Sequence, residues 1–125
     1  MKIYLNQSVL DAAKERISYI MDEFENVGVW FSGGKDSTVT LELTLQVAEE
    51  KGRLPVPVCF VDQEAEWGAV VEYARRVMAD PRVDPYWLQV PIRLFNAASM
   101  DDPWLRCWEE GEEWMRPKEP GSIKD

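Results

Sequence analysis

The sequence contains no histidine, and this absence excludes several kinds of site. Imidazole metal centres and Cys–His catalysis both need a histidine, so neither is open to this chain. The two cysteines, Cys59 and Cys107, stand far apart and belong to no Cys-x-x-Cys pair. Two thiols alone do not complete a zinc or iron–sulfur site, so we expect both cysteines to be buried and reduced.

Positive charge and long apolar runs are also scarce. Fourteen lysines and arginines stand against 23 acidic residues, which gives a net charge of −9. An acidic surface does not attract nucleic acid or an anionic membrane, so we expect neither as a partner. No apolar run approaches the roughly 20 residues that span a bilayer, and residues 1–6 lack a signal-peptide core. We therefore expect a cytoplasmic protein whose 125 residues form one domain.

The most informative stretch is residues 27–38, an apolar run that breaks into a Gly-Gly turn and then opens a helical pattern. Its spacing differs from the Gly-x-x-x-x-Gly-Lys loop of common nucleotide triphosphatases. The free N–H groups of the helix's first turn and its dipole form an anion site, to which Lys35 adds a full charge. We predict a phosphate loop made of Ser32, Gly33, Gly34, Lys35, Asp36 and Ser37. The alternative is a tight turn with a solvated lysine.

Hydrophobic spacing predicts an α/β fold with an open, parallel, three-stranded sheet and helices on both faces. A capped helix is expected over residues 8–24, with one apolar stripe facing inward. The predicted βαβαβ core, residues 26–96, contains the phosphate loop, a strand at 58–61, a helix at 67–79 and a strand at 86–90. A tryptophan-rich acidic tail, residues 97–125, should contain one short helix at 103–110.

Charged residues follow the second and third predicted strands. Because ligands bind beyond the carboxyl ends of parallel strands, residues 62–66 and Arg93 should lie beside the phosphate loop. Asp62 and Glu64 are then candidates for magnesium, ribose or base contacts, and Arg93 for paired hydrogen bonds to a phosphate or sulfate. The alternatives are a solvated loop whose glutamates cap the next helix, and a salt bridge from Arg93 to Asp62 or Glu64.

Ser-Gly-Gly-Lys-Asp-Ser after an apolar strand resembles the pyrophosphate loop (PP-loop) of the ATP pyrophosphatase and phosphoadenosine phosphosulfate (PAPS) reductase superfamily. The wider sequence resembles the PAPS reductase-like proteins of phages and prophages, a group that includes the immunoglobulin-binding regulator A type. The blocks that carry this wider resemblance are residues 8–13, 31–38, 61–66, 86–87, 91–97 and 114–117.

This resemblance implies an adenine nucleotide alpha-hydrolase-like, Rossmann-like fold in three layers. It implies that ATP or PAPS binds with its phosphate or sulfate end on Ser32–Ser37, with Asp62 and Glu64 at the second strand tip. Lys35 and Asp36 are the catalytic candidates, and Asp36 and Asp62 the candidates for holding Mg²⁺.

The sequence departs from this family in two respects. PAPS reductases attack the sulfonucleotide with a cysteine in a C-terminal tail, and residues 118–125 contain none, so reduction by this chain alone is not expected. The superfamily sheet usually has about five strands, whereas three can be placed here, which leaves the first strand on an open edge. We therefore expect a homo-oligomer, a protein partner, or a longer protein of which this is the amino-terminal part.

Three functions are consistent with these observations. The first is an enzyme acting on the phosphate or sulfate end of PAPS or ATP. The second is a non-catalytic, nucleotide-binding regulatory subunit that works with a partner in phage or prophage gene expression. The third is a structural phage component that has lost nucleotide binding, against which the intact loop argues.

Overall fold

The computed structural model describes Tyr4 and residues 6–123, so most of the arm predicted for residues 1–6 lies outside the described part. The elements are α1 (Val9–Glu23), β1 (Val29–Trp30), α2 (Lys35–Glu50), β2 (Val56–Val61), α3 (Gly68–Met78), β3 (Val83–Leu88), β4 (Ile92–Phe95) and β5 (Trp104–Cys107). Strands β1, β2 and β3 form a parallel sheet in that order. The predicted α/β fold with a three-stranded parallel sheet flanked by helices is confirmed. None of the helices in the described residues is long and apolar enough to cross a membrane.

The core lies on one face of the sheet. Val56, Val58 and Phe60 alternate along β2 and are buried in one cluster with apolar residues of α2 and α3. Both crossovers join neighbouring parallel strands in the same direction along the sheet. Right-handed crossovers of this kind place both helices on the same face.

The opposite face of the sheet carries an apolar groove of about 440 Å³. Its lining comes from the three strands and the residue before β1: Gly28, Val29, Trp30, Pro57, Cys59, Tyr86 and Leu88. The sequence predicts helices on both faces, but strands and their flanks alone line this groove among the described residues. β1 lies at the sheet edge, as the family order implied, and its Trp30 is 68% exposed.

Helix α1 is capped by a side chain at each end: Ser8 at its N-terminus and Arg53, from after α2, at its C-terminus. Ser8 Oγ accepts the N–H of Asp11 at 3.0 Å and donates to the Asp11 carboxylate at 2.6 Å. The guanidinium of Arg53 donates to the carbonyl groups of Met21, Phe24 and Glu25. One side chain thus binds carbonyl groups that the end of a helix leaves without intrahelical partners.

The inward stripe predicted for α1 is only partly buried. Met21 is buried and Ile17 packs against the core, but Leu10 and Phe24 are 54% and 59% exposed. The main neighbour of α1 is α2. A helix that packs against one neighbour buries a narrower stripe than a helix that lies across a sheet.

The prediction of a short helix over residues 103–110 is wrong. Residues 104–107 form β5, which pairs with β4 in an antiparallel hairpin. Phe95 and Trp104 lie opposite each other across this pair, with ring centroids 6.1 Å apart. Cross-strand aromatic packing therefore outweighs the four-residue spacing of Trp104 and Trp108, which favoured a helix.

The third strand also differs from its prediction. β3 begins at Val83, earlier than the predicted start at Tyr86, and includes Pro85. Proline is tolerated here because β3 lies at an edge of the sheet, where a missing N–H costs least. Ile123 forms a parallel bridge with Leu88, so the end of the predicted irregular tail continues the pairing beside β3.

We predict that Arg53→Ala lowers the free energy of unfolding by about 2 kcal/mol, because a charged donor to several carbonyl groups is lost. The matched control is Arg16→Ala, which removes an exposed arginine from α1 and should change the free energy of unfolding by less than about 0.5 kcal/mol. Denaturant unfolding followed by circular dichroism measures both. Equal stability of the two variants would contradict the capping role of Arg53.

Candidate functional site

The predicted phosphate loop connects β1 to α2, and its first glycine is required by its geometry. Gly33 has a φ of +76°, and a Cβ at this position would lie 2.7 Å from Val70 Cγ1. Both the conformation and the close approach therefore exclude larger residues. Gly34 is the N-cap of α2, and no side chain of the described residues caps this helix. The first-turn N–H groups are thus available to an anion.

Hydroxyl groups close the base of this loop. The Ser37 hydroxyl accepts hydrogen bonds from the backbone N–H of Ser32 at 3.3 Å and from the Ser32 hydroxyl at 3.0 Å. It also donates to the carbonyl of Gly34 at 3.0 Å, to which Thr38 Oγ1 donates at 2.8 Å. These contacts hold the loop in shape through its own residues.

Lys35 and Asp36 begin α2 with fully accessible side chains. Their side chains are 91% and 92% exposed, and Lys35 Nζ lies 3.6 Å from Asp36 Oδ1. An ion pair this exposed contributes little to stability. The Lys35 ammonium group is therefore free to bind an anion at the positive end of the helix.

A cleft of about 290 Å³ opens beside this loop, at the carboxyl ends of β1 and β2. Apolar and polar residues share its lining: Trp30, Phe31, Ser32, Phe60, Val61, Gln63 and Glu66. Burial and the neighbouring Asp62 carboxylate raise the pKa of Glu66, against an opposite effect of Arg116. A mainly apolar cleft with a few polar groups and an adjoining anion loop suits a flat ring with a negatively charged tail.

Asp62 is completely buried, and both of its carboxylate oxygens are occupied. Oδ2 accepts hydrogen bonds from Trp87 Nε1 at 2.8 Å and from Gln89 Nε2 at 2.9 Å. Oδ1 accepts the backbone N–H of Glu64 at 2.9 Å and a hydrogen bond from Arg116 Nη2. Four donors match the roughly four acceptor positions of a carboxylate. Asp62 therefore does not fit a metal ligand in this conformation.

Glu64 faces the end of the chain. Its φ is +63°, and its carboxylate accepts the backbone N–H groups of Trp108 at 2.6 Å and Met115 at 2.9 Å. Trp108 is completely buried and donates its indole N–H to the carbonyl of Asp62 at 2.7 Å. Asp62 and Glu64 thus hold residues 108–123, the C-terminal segment, against the tip of β2. Their predicted contacts with a nucleotide stay a prediction.

Arg93 does not pair with Asp62 or Glu64, and a second arginine, Arg116, pairs with Asp62 instead. Arg93 lies in β4, is 65% exposed and pairs with Glu109 at 3.3 Å, so its predicted contact with a phosphate or sulfate stays a prediction. Arg116 forms the salt bridge with Asp62, and its guanidinium lies 5.0 Å from the centre of the Trp108 ring. Sequence reasoning missed Arg116 because its partner stands 54 residues away.

Neither cysteine is an activated thiol. Cys107 is buried and Cys59 is half-buried in the groove on the open face of the sheet. Burial raises the pKa of both thiols, and the carboxylates of residues 62, 64 and 66 raise that of Cys107 further. Because the thiolate is the nucleophilic form, both cysteines are poor nucleophiles at neutral pH.

The described residues contain no group of three acidic or cysteine side chains arranged to hold a metal ion. Asp36 is therefore a candidate only for a magnesium ion that arrives with phosphate groups, since Mg²⁺ is often held by one or two carboxylates plus substrate phosphates.

Comparison with known proteins gives a match over most of the chain. Residues 26–115 match the phosphoadenosine phosphosulfate reductase domain. The protein YbdN of Escherichia coli (strain K12) is 35% identical over 127 residues, which cover 99% of this chain and 31% of YbdN. Sulfate adenylyltransferase subunit 2 of Mycobacterium tuberculosis (strain ATCC 25618 / H37Rv) is 36% identical over 86 residues, or 69% of this chain and 25% of that protein. The chain thus spans about a third or less of the length of these relatives. No solved structure matches.

Two glycine variants test the loop geometry. We predict that Gly33→Ala lowers the free energy of unfolding by about 1–3 kcal/mol, because its Cβ meets Val70 and its φ is positive. Gly34→Ala is the matched control, since its Cβ would lie 3.5 Å from Ser32 Oγ, an ordinary contact. Its free energy of unfolding should change by less than about 1 kcal/mol. Thermal and denaturant unfolding measure both, and equal losses would show that the loop does not require Gly33.

A pH-dependent prediction follows from Glu66. A carboxyl group with a raised pKa binds its proton more tightly in the folded state, so it favours folding below its ordinary pKa of 4.5. That contribution is lost as the pH rises through the pKa of the folded state. Glu66→Gln should therefore be more stable than the wild type at pH 7, and this advantage should shrink towards pH 4. Denaturant unfolding at both pH values checks this, with the exposed Glu113→Gln as control. A Glu66→Gln protein less stable than wild type at pH 7 contradicts it.

Proposed function

Because this chain belongs to the phosphoadenosine phosphosulfate reductase domain family, we propose that it binds an adenine nucleotide, ATP or PAPS. One observation carries the proposal: a loop whose conformation favours glycine at Gly33 lies at the uncapped N-terminus of α2, beside a cleft of suitable shape. A phosphate or sulfate there meets open N–H groups, the helix dipole and the exposed Lys35. This arrangement binds an anion although the chain as a whole is acidic.

The proposed site has two parts, which bind the two ends of the nucleotide. Residues Ser32–Ser37 hold the phosphate or sulfate end, and Lys35 balances the negative charge that develops there during group transfer. Asp36 is exposed next to Lys35 and fits a carboxylate ligand of phosphate-bound Mg²⁺. The adenine ring occupies the cleft, where Trp30 and Val61 supply apolar surface.

The reaction class we propose first is a PAPS reductase-like or ATP pyrophosphatase-type reaction at that phosphate or sulfate end. A reductase-like reaction would take its two electrons from thiols of a partner protein, because both cysteines of this chain are poor nucleophiles. Lys35 and Asp36 are its proposed catalytic residues, since both are exposed in the first turn of α2, next to the phosphate loop. Asp62 and Glu64 contribute by shaping the loop that carries Gln63 and Glu66, the polar side chains that line the cleft.

A second candidate function is a nucleotide-binding regulatory subunit, of the phage and prophage gene expression type, that works with a partner. The groove on the open face of the sheet favours it, because an apolar surface next to an edge strand is suited to protein association. The partner is either a second copy of this chain or a different polypeptide.

We predict that Lys35→Ala weakens the binding of ATP or PAPS at least about tenfold, because a charge-assisted contact is lost. The free energy of unfolding should stay within about 0.5 kcal/mol of wild type, since the lysine is exposed. Lys14→Ala is the matched control: it removes the same charge where Lys14 pairs with Glu50, at the other end of α2. Isothermal titration calorimetry with magnesium present measures affinity. Unchanged affinity of the Lys35→Ala protein would contradict the assignment of the loop.

Chromatography of the nucleotide after incubation separates the two candidate functions. AMP and pyrophosphate formed from ATP would identify a pyrophosphatase-type enzyme. A nucleotide that stays bound and unchanged would favour the regulatory subunit. A wild-type protein that binds neither ATP nor PAPS would contradict both.

A further inference from the structure

The loop after β2 has two sets of contacts that alternate along the chain. Gln63 and Glu66 line the cleft beside Ser32. Asp62 and Glu64 instead bind the C-terminal segment. Because neighbouring residues belong to different sets, a displacement of the C-terminal segment also displaces the polar wall of the cleft.

Glu64 is the residue of this loop that binds two separate parts of the C-terminal segment. Glu64 is 8% exposed, and its carboxylate accepts two backbone N–H groups, of Trp108 and Met115, one on each oxygen. The positive φ of Glu64 is uncommon for a residue other than glycine, and the Asp62 carboxylate fixes it by accepting the Glu64 N–H at 2.9 Å. The conformation of the loop and the position of the C-terminal segment thus depend on the same side chain.

The C-terminal segment is tied to other parts of the fold as well. The N–H of Glu119 donates to Gln89 Oε1 at 2.5 Å, and the Glu119 carboxylate pairs with Arg75 of α3 at 2.6 Å. Two nitrogen atoms of Arg116, Nε and Nη1, are buried without a hydrogen-bond partner among the described residues, and the nearest carboxylate oxygen to Nη1, of Glu119, lies 3.9 Å away. The docked segment therefore gains strong contacts but leaves donors of Arg116 unsatisfied, which lowers the net stability of its docking.

We propose that Glu64 is a positioning residue that couples the nucleotide cleft to the C-terminal segment, so that nucleotide binding and docking of this segment stabilise each other. The proposal rests on the nucleotide binding proposed above. Glu64 acts through the loop, since its carboxylate is engaged by Trp108 and Met115 and does not line the cleft. The coupling is reciprocal: whatever factor the nucleotide adds to docking, docking adds to nucleotide affinity.

Hydrogen–deuterium exchange of the Trp108 and Met115 amides reports docking directly, because these are the N–H groups that Glu64 accepts. In the wild type, saturating ATP with Mg²⁺ should slow exchange at both amides about fivefold or more, as typical coupling energies allow. Glu64→Gln replaces one of the two acceptor oxygens with an NH2 donor, so only one of the two backbone N–H groups keeps an acceptor. It should accelerate exchange at both amides. Where the segment undocks, ATP binding should weaken by up to the factor by which ATP slows exchange in the wild type, measured by calorimetry.

The control is Glu113→Gln, a change at an exposed glutamate of the same segment, which should alter neither exchange nor affinity. If ATP binds the wild type but leaves exchange at Trp108 and Met115 unchanged, the coupling is overturned while the nucleotide site stands. A folded Glu64→Gln protein whose Trp108 and Met115 amides exchange as in an undocked segment, but which binds ATP as tightly as wild type, also overturns it. If ATP and PAPS both fail to bind the wild type, the nucleotide site and the coupling fall together. The exchange measurement on the wild type tests the coupling even if the Glu64→Gln protein does not fold.

Discussion

The buried carboxylate of Asp62 is the contact on which the arrangement of the second half of the chain depends. Its donors come from β3, from the residue after β3, from its own loop and from the C-terminal segment. Removing one partner of a buried, paired charge costs about 3–5 kcal/mol, because the remaining charge has neither water nor a partner. The C-terminal segment, which has almost no regular secondary structure, is therefore an integral part of the fold.

The phosphate loop is tied to the same region of the sheet. Gly33 packs against Val70 of α3, the helix that follows the loop containing Asp62 and Glu64. The anion site and the C-terminal segment thus lie on two sides of one connection, that between β2 and α3.

Local patterns were sufficient for the elements that depend on sequence neighbours. The Gly-Gly turn, the buried strand β2 and helix α3 were each predictable because hydrophobic spacing and turn residues determine them. The hairpin of β4 and β5 was not, because it depends on Phe95 meeting Trp104 across a loop. Asp62 and Glu64 were predicted at the tip of the second strand as nucleotide or magnesium contacts. Their partners in the structure, Arg116 and Trp108, lie 54 and 44 residues further along the chain. Periodicity contains no information about contacts at that separation.

The separation of Asp62 from Arg116 also sets an order of assembly during synthesis. When a ribosome has released the three strands and their crossover helices, the apolar core has all of its main components, but Asp62 still lacks its ion-pair partner. The loop containing Gln63 and Glu66 reaches its final conformation only after Trp108, Met115 and Arg116 emerge. Contacts of high sequence separation form late because their loop closure is costly. The nascent chain therefore acquires its sheet first and the cleft beside the phosphate loop last.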